Sequence, residues 1–408
     1  MKKTILKQYA QLLVEMGVNI QKGQELMVFA SIKQEALVKE IAVAAYKKGA
    51  AKVSVEWGSD ALTKVHYRYQ SVKQLGKVEE WEKAKLQHRV DVVPARIYIA
   101  DEDPDGMKGV NQKKVAKARM MSYPIIKPYI DQLENKEQWC IAGAASPEWA
   151  KKVFPGMSKS KAVEKLWEAI LETSRMGEDP VRNWKEHNAD LRRRCDYLNS
   201  LNLKSLHYEA SNGTDFTVGL IDEARFLGGS ELTLGSNIEF NPNIPSEEVF
   251  TSPMKGEAEG IVYASMPLSY EGELIENFSV RFESGKAVEV KAEKGEELLK
   301  QMISMDETAA YLGEAALIPY DSPIRKTGIL FYNTLYDENA SCHLALGMGF
   351  TNVIKDYEKY TQKELQDMGV NDSMIHVDFM IGTRDMNITG TDKDGKKIKI
   401  FENGNWAF

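Results

Sequence analysis

One change of hydrophobic rhythm, near residue 185, restricts this chain more than any other feature. Ahead of it, the apolar run at residues 26–30 is followed by a helical pattern over 34–48 and by the alternation Lys52-Val53-Ser54-Val55-Glu56-Trp57. Strand, helix, strand is the grammar of a parallel sheet, because parallel neighbours need a crossover long enough to hold a helix. The opening segment, residues 4–16, places Ile5, Leu6, Tyr9, Leu12, Leu13 and Met16 at helical spacing, with Gly17 where a C-terminal glycine cap would stand. Helical segments over 61–90, strands at 96–100 and 138–143 and helices at 112–121 and 161–176 continue the alternation. Residues 1–185 therefore read as a doubly wound α/β domain.

A helix at 181–199 joins the halves, and the texture then becomes strands and tight turns: SLHYEA, TDFTVGL, GIVYAS, FSVRFES and AVEVKAE. Successive strands joined this way favour antiparallel pairing. With helices at 297–305 and 361–368 among them, residues 186–408 read as an α+β domain built on a largely antiparallel sheet. Two domains are also what 408 residues lead one to expect, since a single core stops growing below that size.

Several function classes are disfavoured. No GxGxxG or GxxxxGK[ST] opens any of the helices, so the usual phosphate-cradling loops are missing. The acidic run Asp101–Gly106 lacks the spacing of an EF-hand and reads as a solvated turn. Lys and Arg number 53 against 60 Asp and Glu, a formal charge of -7, and the densest basic run, Arg192-Arg193-Arg194, reads as a solvated helix face. A nucleic-acid partner is not expected. Three cysteines with no CxxC spacing support neither a disulfide framework nor a thiolate metal cage, and fit the cell interior. Lys2, Lys3 and Lys7 precede no apolar h-region, and no run of 18 apolar residues occurs, so a cytoplasmic protein without membrane contact is expected.

The C-terminal half holds the residues capable of chemistry. In Met374-Ile375-His376-Val377-Asp378-Phe379-Met380 the period of two puts His376, Asp378 and Met380 on one face of an apolar strand. A histidine and a carboxylate projecting together from such a strand demand a partner: a metal, a cation or a hydrogen-bond network. His343 follows a polar loop that brings Asp337 and Glu338 near an imidazole, Glu247 and Glu248 form an acidic pair bounded by Pro245 and Pro253, and Glu314 is one carboxylate in an apolar stretch. His66, His88, His187 and His207 stand in contexts without ligand spacing and read as surface or satisfied histidines. Many carboxylates, few imidazoles and no thiolate suit Zn, Mn or Co, and a carboxylate surplus suits two ions bridged by one of them. Such a pair can hydrolyse peptides, esters or phosphoesters.

Five segments, NPNIPSEEVFTSP at 241–253, LGEAALIP at 312–319, FYNTLYDENASCHLALG at 331–347, IHVDFMIG at 375–382 and the closing FENGNWAF, resemble the thermophilic-type metallo-aminopeptidases, and the likeness runs along the whole chain. The resemblance implies an N-terminal α/β domain, a C-terminal domain carrying the site, usually a homodimer, and two divalent ions that remove N-terminal residues from peptides by attack of a metal-bound water. Carried over motif by motif, it makes Glu248, Glu314, Glu338, His343, His376 and Asp378 the metal ligands. Glu314 becomes the bridging carboxylate, while Glu247, beside a ligand, reads as a general base or supporting group, or else as a surface carboxylate. One position departs from the family: a tyrosine seven residues after the first ligand histidine is Phe350 here, which has no hydroxyl. Either another donor, such as Tyr332 or Tyr336, takes its place or turnover is slower. Two other readings stay open: a catalytically weakened peptide-binding member of the same fold, and a two-metal phosphoesterase, which the scarcity of basic residues near the motifs disfavours.

Overall fold

The computed structural model describes residues 2–408, which form two units. The first runs to Glu186 and takes in Ser230–Pro245; the second holds His187–Gly229 and Ser246–Phe408.

The first unit is built on a five-stranded parallel sheet. Its strands are β1 (Glu25–Ser31), β2 (Lys52–Gly58), β3 (Ala95–Ala100), β4 (Trp139–Gly143) and β5 (Asn243–Ile244), in the order β2-β1-β3-β4-β5. Leu26, Met27 and Val28 of β1 are consecutive and all buried, the pattern of an inner strand covered on both faces. The last strand, β5, comes from beyond residue 185, because the chain returns to pair Asn243 and Ile244 with Ile141 and Ala142. A boundary drawn from sequence texture alone assigns this short segment to the other half; two residues of strand leave too little periodicity to be seen.

Three local expectations change. Gly17 does not cap its helix but closes a π-helical turn, Leu13–Gly17, where an added Cβ would stand 2.9 Å from Cys140 Sγ. Glycine is required there for close packing on β4 rather than for a left-handed cap. The helix expected over 112–121 runs from Gln112 to Leu133, through Pro124 and Pro128. Asp101, read as part of a solvated turn, is buried at the end of β3 and accepts hydrogen bonds from the Ser31 hydroxyl and from Gln34 Nε2, the latter at 2.9 Å.

The second unit carries a nine-stranded antiparallel sheet and a smaller four-stranded one. The larger packs Leu206, Tyr208, Phe216, Val218, Phe278, Val280 and Phe282 into the main core. The smaller consists of β6 (Val249–Thr251), β7 (Leu312–Leu317), β8 (His343–Gly347) and β9 (His376–Met380), all antiparallel and in chain order. Every residue of β7 and β8 is buried. Among the described residues no helix is long and apolar enough to cross a membrane.

Candidate metal centre

The register of the small sheet assembles the centre. Glu314 on β7 is paired with Ala345 on β8, and Ala345 with Asp378 on β9, so the two carboxylates flank a methyl group in one cross-strand row. His343 stands two residues before Ala345 and His376 two before Asp378, which by the period of two brings both imidazoles to the same face. His376 is paired with Gly347, where a Cβ would meet the Ile375 carbonyl at 2.1 Å, so no side chain occupies that place in the row. Glu248 precedes β6 directly, and Glu338 ends the short helix Thr334–Glu338.

These six side chains converge. His343 Nε2 lies 3.6 Å from Glu248 Oε2, 3.8 Å from Glu314 Oε1 and 3.9 Å from Asp378 Oδ1. His376 Nε2 lies 3.2 Å from Glu314 Oε2 and 3.3 Å from Asp378 Oδ1. Two trios result, Glu248–Glu314–His343 and Glu314–His376–Asp378, each with potential ligand atoms within 4.8 Å of one another. Glu314 belongs to both, and Glu338 joins through a hydrogen bond with Asp378. His376, with 23% of its side chain exposed, is the most open of the six, whereas His343 is 1% exposed.

The imidazoles are oriented from behind. His343 Nδ1–H donates to the carbonyls of Glu338 at 3.0 Å and Ser341 at 3.2 Å, and His376 Nδ1–H donates to the Met348 carbonyl at 2.7 Å. A carbonyl only accepts, so Nδ1 carries a hydrogen and each Nε2 is turned toward the carboxylates, the arrangement that prepares a histidine to ligate a cation. The charges point the same way. Burial, then Asp378, Glu248 and Glu314, push the Glu338 carboxyl well above the usual range. Burial opposes charge on Asp378, His343 and His376, yet attraction between imidazoles and carboxylates prevails: Asp378, facing both histidines, is held at about 2, and both imidazoles are raised above the ordinary histidine value, His343 by Glu314, Asp378 and Glu248 and His376 by Asp378 and Glu314. A cluster that draws protons onto its histidines this way is short of positive charge. Four carboxylates and two neutral imidazoles suit divalent cations in both donor type and charge.

The remaining sequence candidates are placed as follows. Glu247 is buried beside Glu248 but belongs to neither trio. Asp337 belongs to neither trio. It accepts the Phe331 N–H at 2.8 Å and the Asn333 N–H at 3.1 Å, bracing the loop before the helix, and burial raises its carboxyl to about 7. Phe350 borders the centre with its ring 5.0 Å from that of His376 and 5.2 Å from Phe250. Tyr336 is wholly buried and stacked on Phe331 at 4.7 Å. His88 faces Glu25 at 3.1 Å and His207 faces the Thr217 hydroxyl at 2.8 Å, as satisfied histidines do. His187 is buried rather than superficial, and its Nε2–H donates to the Ser246 carbonyl at 2.7 Å, two residues before Glu248. No spacing rule connects position 187 with 246, so periodicity gives no sign of it.

The entry to β9 is set by Asp306. Its Oδ2 accepts the Ser373 hydroxyl at 2.8 Å and the Met374 N–H at 2.7 Å, and its Oδ1 accepts Thr308 N–H at 2.8 Å and the Thr308 hydroxyl at 2.9 Å. Although burial opposes it, these donors, led by Met374, hold the carboxyl below its ordinary value of 3.8. Asp306→Ala should cost roughly 2 kcal/mol of stability, the scale of hydrogen bonds to a charged group. Because the folded-state value is depressed, the contribution is complete above the unfolded carboxyl pKa and fades as pH falls through the folded one. Urea unfolding of both proteins between pH 7 and pH 3 should therefore show the gap closing at the acid end, and a constant gap would rule the ionised carboxylate out.

The profile of the thermophilic metalloprotease family, M29, matches residues 2–406. The chain belongs to this family. M29 relatives cover it almost end to end: aminopeptidase AmpS of Bacillus subtilis (strain 168) is 44% identical over 405 residues, 99% of this chain and 98% of its own. Aminopeptidase T of Thermus thermophilus is 37% identical over 407 residues, 99% of both chains. The solved structure of wild-type AmpT from Thermus thermophilus superposes with a TM-score of 0.89 at 36% identity, covering 100% of both chains. A 2,5-dihydroxypyridine dioxygenase from Pseudomonas putida, 13% identical with a TM-score of 0.51 over 100% of this chain and 98% of its own, shares the fold alone. The fold by itself therefore fixes no activity.

Proposed function

We propose that this metal-dependent aminopeptidase works with two divalent cations, Zn, Co or Mn, one held by Glu248, Glu314 and His343 and the other by Glu314, His376, Asp378 and Glu338. The observation that carries this reading is the double membership of Glu314, whose Oε1 faces His343 and whose Oε2 faces His376. Four carboxylates beside two neutral imidazoles leave a formal charge of four, which two divalent cations balance. When bound, such a pair supplies Lewis acidity that polarises the scissile carbonyl and acidifies a water.

The chain's own residues do the rest. Glu314, Asp378, His343 and His376 are fixed by the sheet ladder, so the substrate meets a site that needs no rearrangement, which is where electrostatic stabilisation gains its strength. Glu247, buried beside Glu248, accepts the proton of the attacking water and passes it to the leaving amine. One acidic group of the site accepts the free α-amine of the peptide, which restricts cleavage to the first residue, and the product is one free amino acid. A cytoplasmic homodimer with residues 186–408 as its catalytic half completes the reading and rests on the family resemblance; sedimentation checks the dimer.

Dialysis against a chelator is expected to abolish hydrolysis of aminoacyl chromogenic amides, and Zn, Co or Mn to restore it. N-acetylated versions of the same substrates should remain uncut. Activity that survives chelation, or cleavage of the blocked amides, defeats the reading. One observation favours a second reading, a weakened peptide-binding member: Phe350 borders His376 where a tyrosine hydroxyl would offer a donor worth roughly 2.7–4 kcal/mol in other enzymes. Full cation content without hydrolysis of any free-amine peptide would decide for it.

A further inference from the structure

The six side chains of the centre reach it by two different routes. Glu314, His343, His376 and Asp378 sit on strands whose register is set by backbone pairing. Glu248 comes from the turn before β6 and Glu338 from the end of the helix Thr334–Glu338, where no strand ladder holds them. Their carboxylates reach the others only through their own side chains, Glu248 to His343 at 3.6 Å and Glu338 to Asp378. Something other than the ladder must hold them in.

Two buried side chains outside the six are placed to do so. His187 Nε2–H donates to the Ser246 carbonyl at 2.7 Å, and Asn339 Oδ1 accepts the Glu247 N–H at 2.7 Å, so consecutive residues of the turn leading to Glu248 are gripped on their carbonyl and their amide. The same Asn339 donates through Nδ2 to Glu338 Oε1 at 3.3 Å and to the Leu335 carbonyl at 3.0 Å. One primary amide thus accepts from the Glu247 backbone and donates to the Glu338 carboxylate at once. Only a side chain with both functions can do this: a carboxylate in its place would have no hydrogen to give, and a hydroxyl would be too short to span both. Asn339 is 0% exposed and His187 9%, so water is a poor substitute for either.

We propose that His187 and Asn339 are positioning residues that clamp Glu248 and Glu338 against the sheet-borne side of the centre, an inference that rests on the two-cation reading. Neither residue touches the substrate. They act by limiting where two of the carboxylates can go, and hydrogen-bonding partners of this kind are worth about 10–100-fold in metal affinity.

The test is cation affinity, measured on metal-free protein by competition between Co²⁺ and a chromogenic chelator, for the wild type, His187→Ala, His187→Gln and Asn339→Ala. Unfolding midpoints of the same metal-free proteins are recorded alongside. Both alanine variants should bind at least one cation about 10–100-fold more weakly. Gln carries an amide N–H near the place of the histidine Nε2–H, so His187→Gln should recover most of the lost affinity. A merely structural role would lower the unfolding midpoint and leave affinity alone. Alanine variants with wild-type affinity, or a His187→Gln as weak as His187→Ala, overturn the clamp; should Asn339→Ala not fold, the His187 pair decides. Wild-type protein that takes up no cation overturns the reading of the centre itself, which is a different failure.

Discussion

Glu314→Gln is expected to lower turnover and cation uptake together. Glu314 is the one residue common to both trios, with Oε2 3.2 Å from His376 Nε2 and Oε1 3.8 Å from His343 Nε2. Glutamine keeps the shape of the side chain, so the packing of β7 should be little changed, but it removes the charge that the proposed pair of cations would share. Lewis-acid assistance is worth several kcal/mol, and about 1.4 kcal/mol is a factor of ten, so kcat/KM should fall by roughly a thousandfold or more. Metal analysis of the folded variant should show fewer cations per chain than the wild type. Glu247→Gln provides the contrast, since it should lose turnover and keep its cations. A Glu314→Gln protein with wild-type metal content and activity would mean that the bridging role belongs elsewhere.

The second large effect lies at a residue with no chemistry of its own. Ala345 is completely buried and paired on one side with Glu314 and on the other with Asp378. Its methyl group is the floor between two carboxylates. Ala345→Leu adds branched bulk at that floor and should push the carboxylates apart, at a cost of about 1–3 kcal/mol in stability for the overpacking. The cost in activity should be far larger, on the order of a hundredfold, because displacement of reacting groups by about 1 Å has that consequence. Leu344→Met is the matched control: it changes the opposite face of the same strand while conserving volume, and should leave cation affinity unchanged. Circular dichroism and metal titration on the pair separate a blocked centre from a disturbed fold. Equal affinities in Ala345→Leu and wild type would remove the cross-strand row from the account.

Much of the fold was legible because its signals are local. The strand–helix–strand rhythm from Leu26 to Trp57 is a matter of period, and period survives in one dimension. β5 was not legible, since Asn243 and Ile244 are too few to show one and belong to the parallel sheet only by pairing with β4. Gly17 was visible as a special position but misread, since helix caps and close contacts both select glycine and only the proximity of Cys140 tells them apart.

The site divides in the same way. That His376 and Asp378 share a face follows from alternation along one strand, and the motifs around Glu248, Glu314, Glu338 and His343 mark the family. Asp337 and Glu338 are neighbours with the same charge, and nothing in their order says that one braces a loop while the other joins Asp378. By itself, then, the sequence determined the two textures, the family and the roster of acidic and imidazole groups. The tertiary structure alone decided that Glu314 and Asp378 flank Ala345, that both imidazoles turn Nε2 toward the carboxylates, and that His187 and Asn339 grip the turn before Glu248. The reason is physical: propensity and period act between near neighbours in the chain, whereas register, buried charge and the direction of a hydrogen bond exist only between segments that folding has brought together.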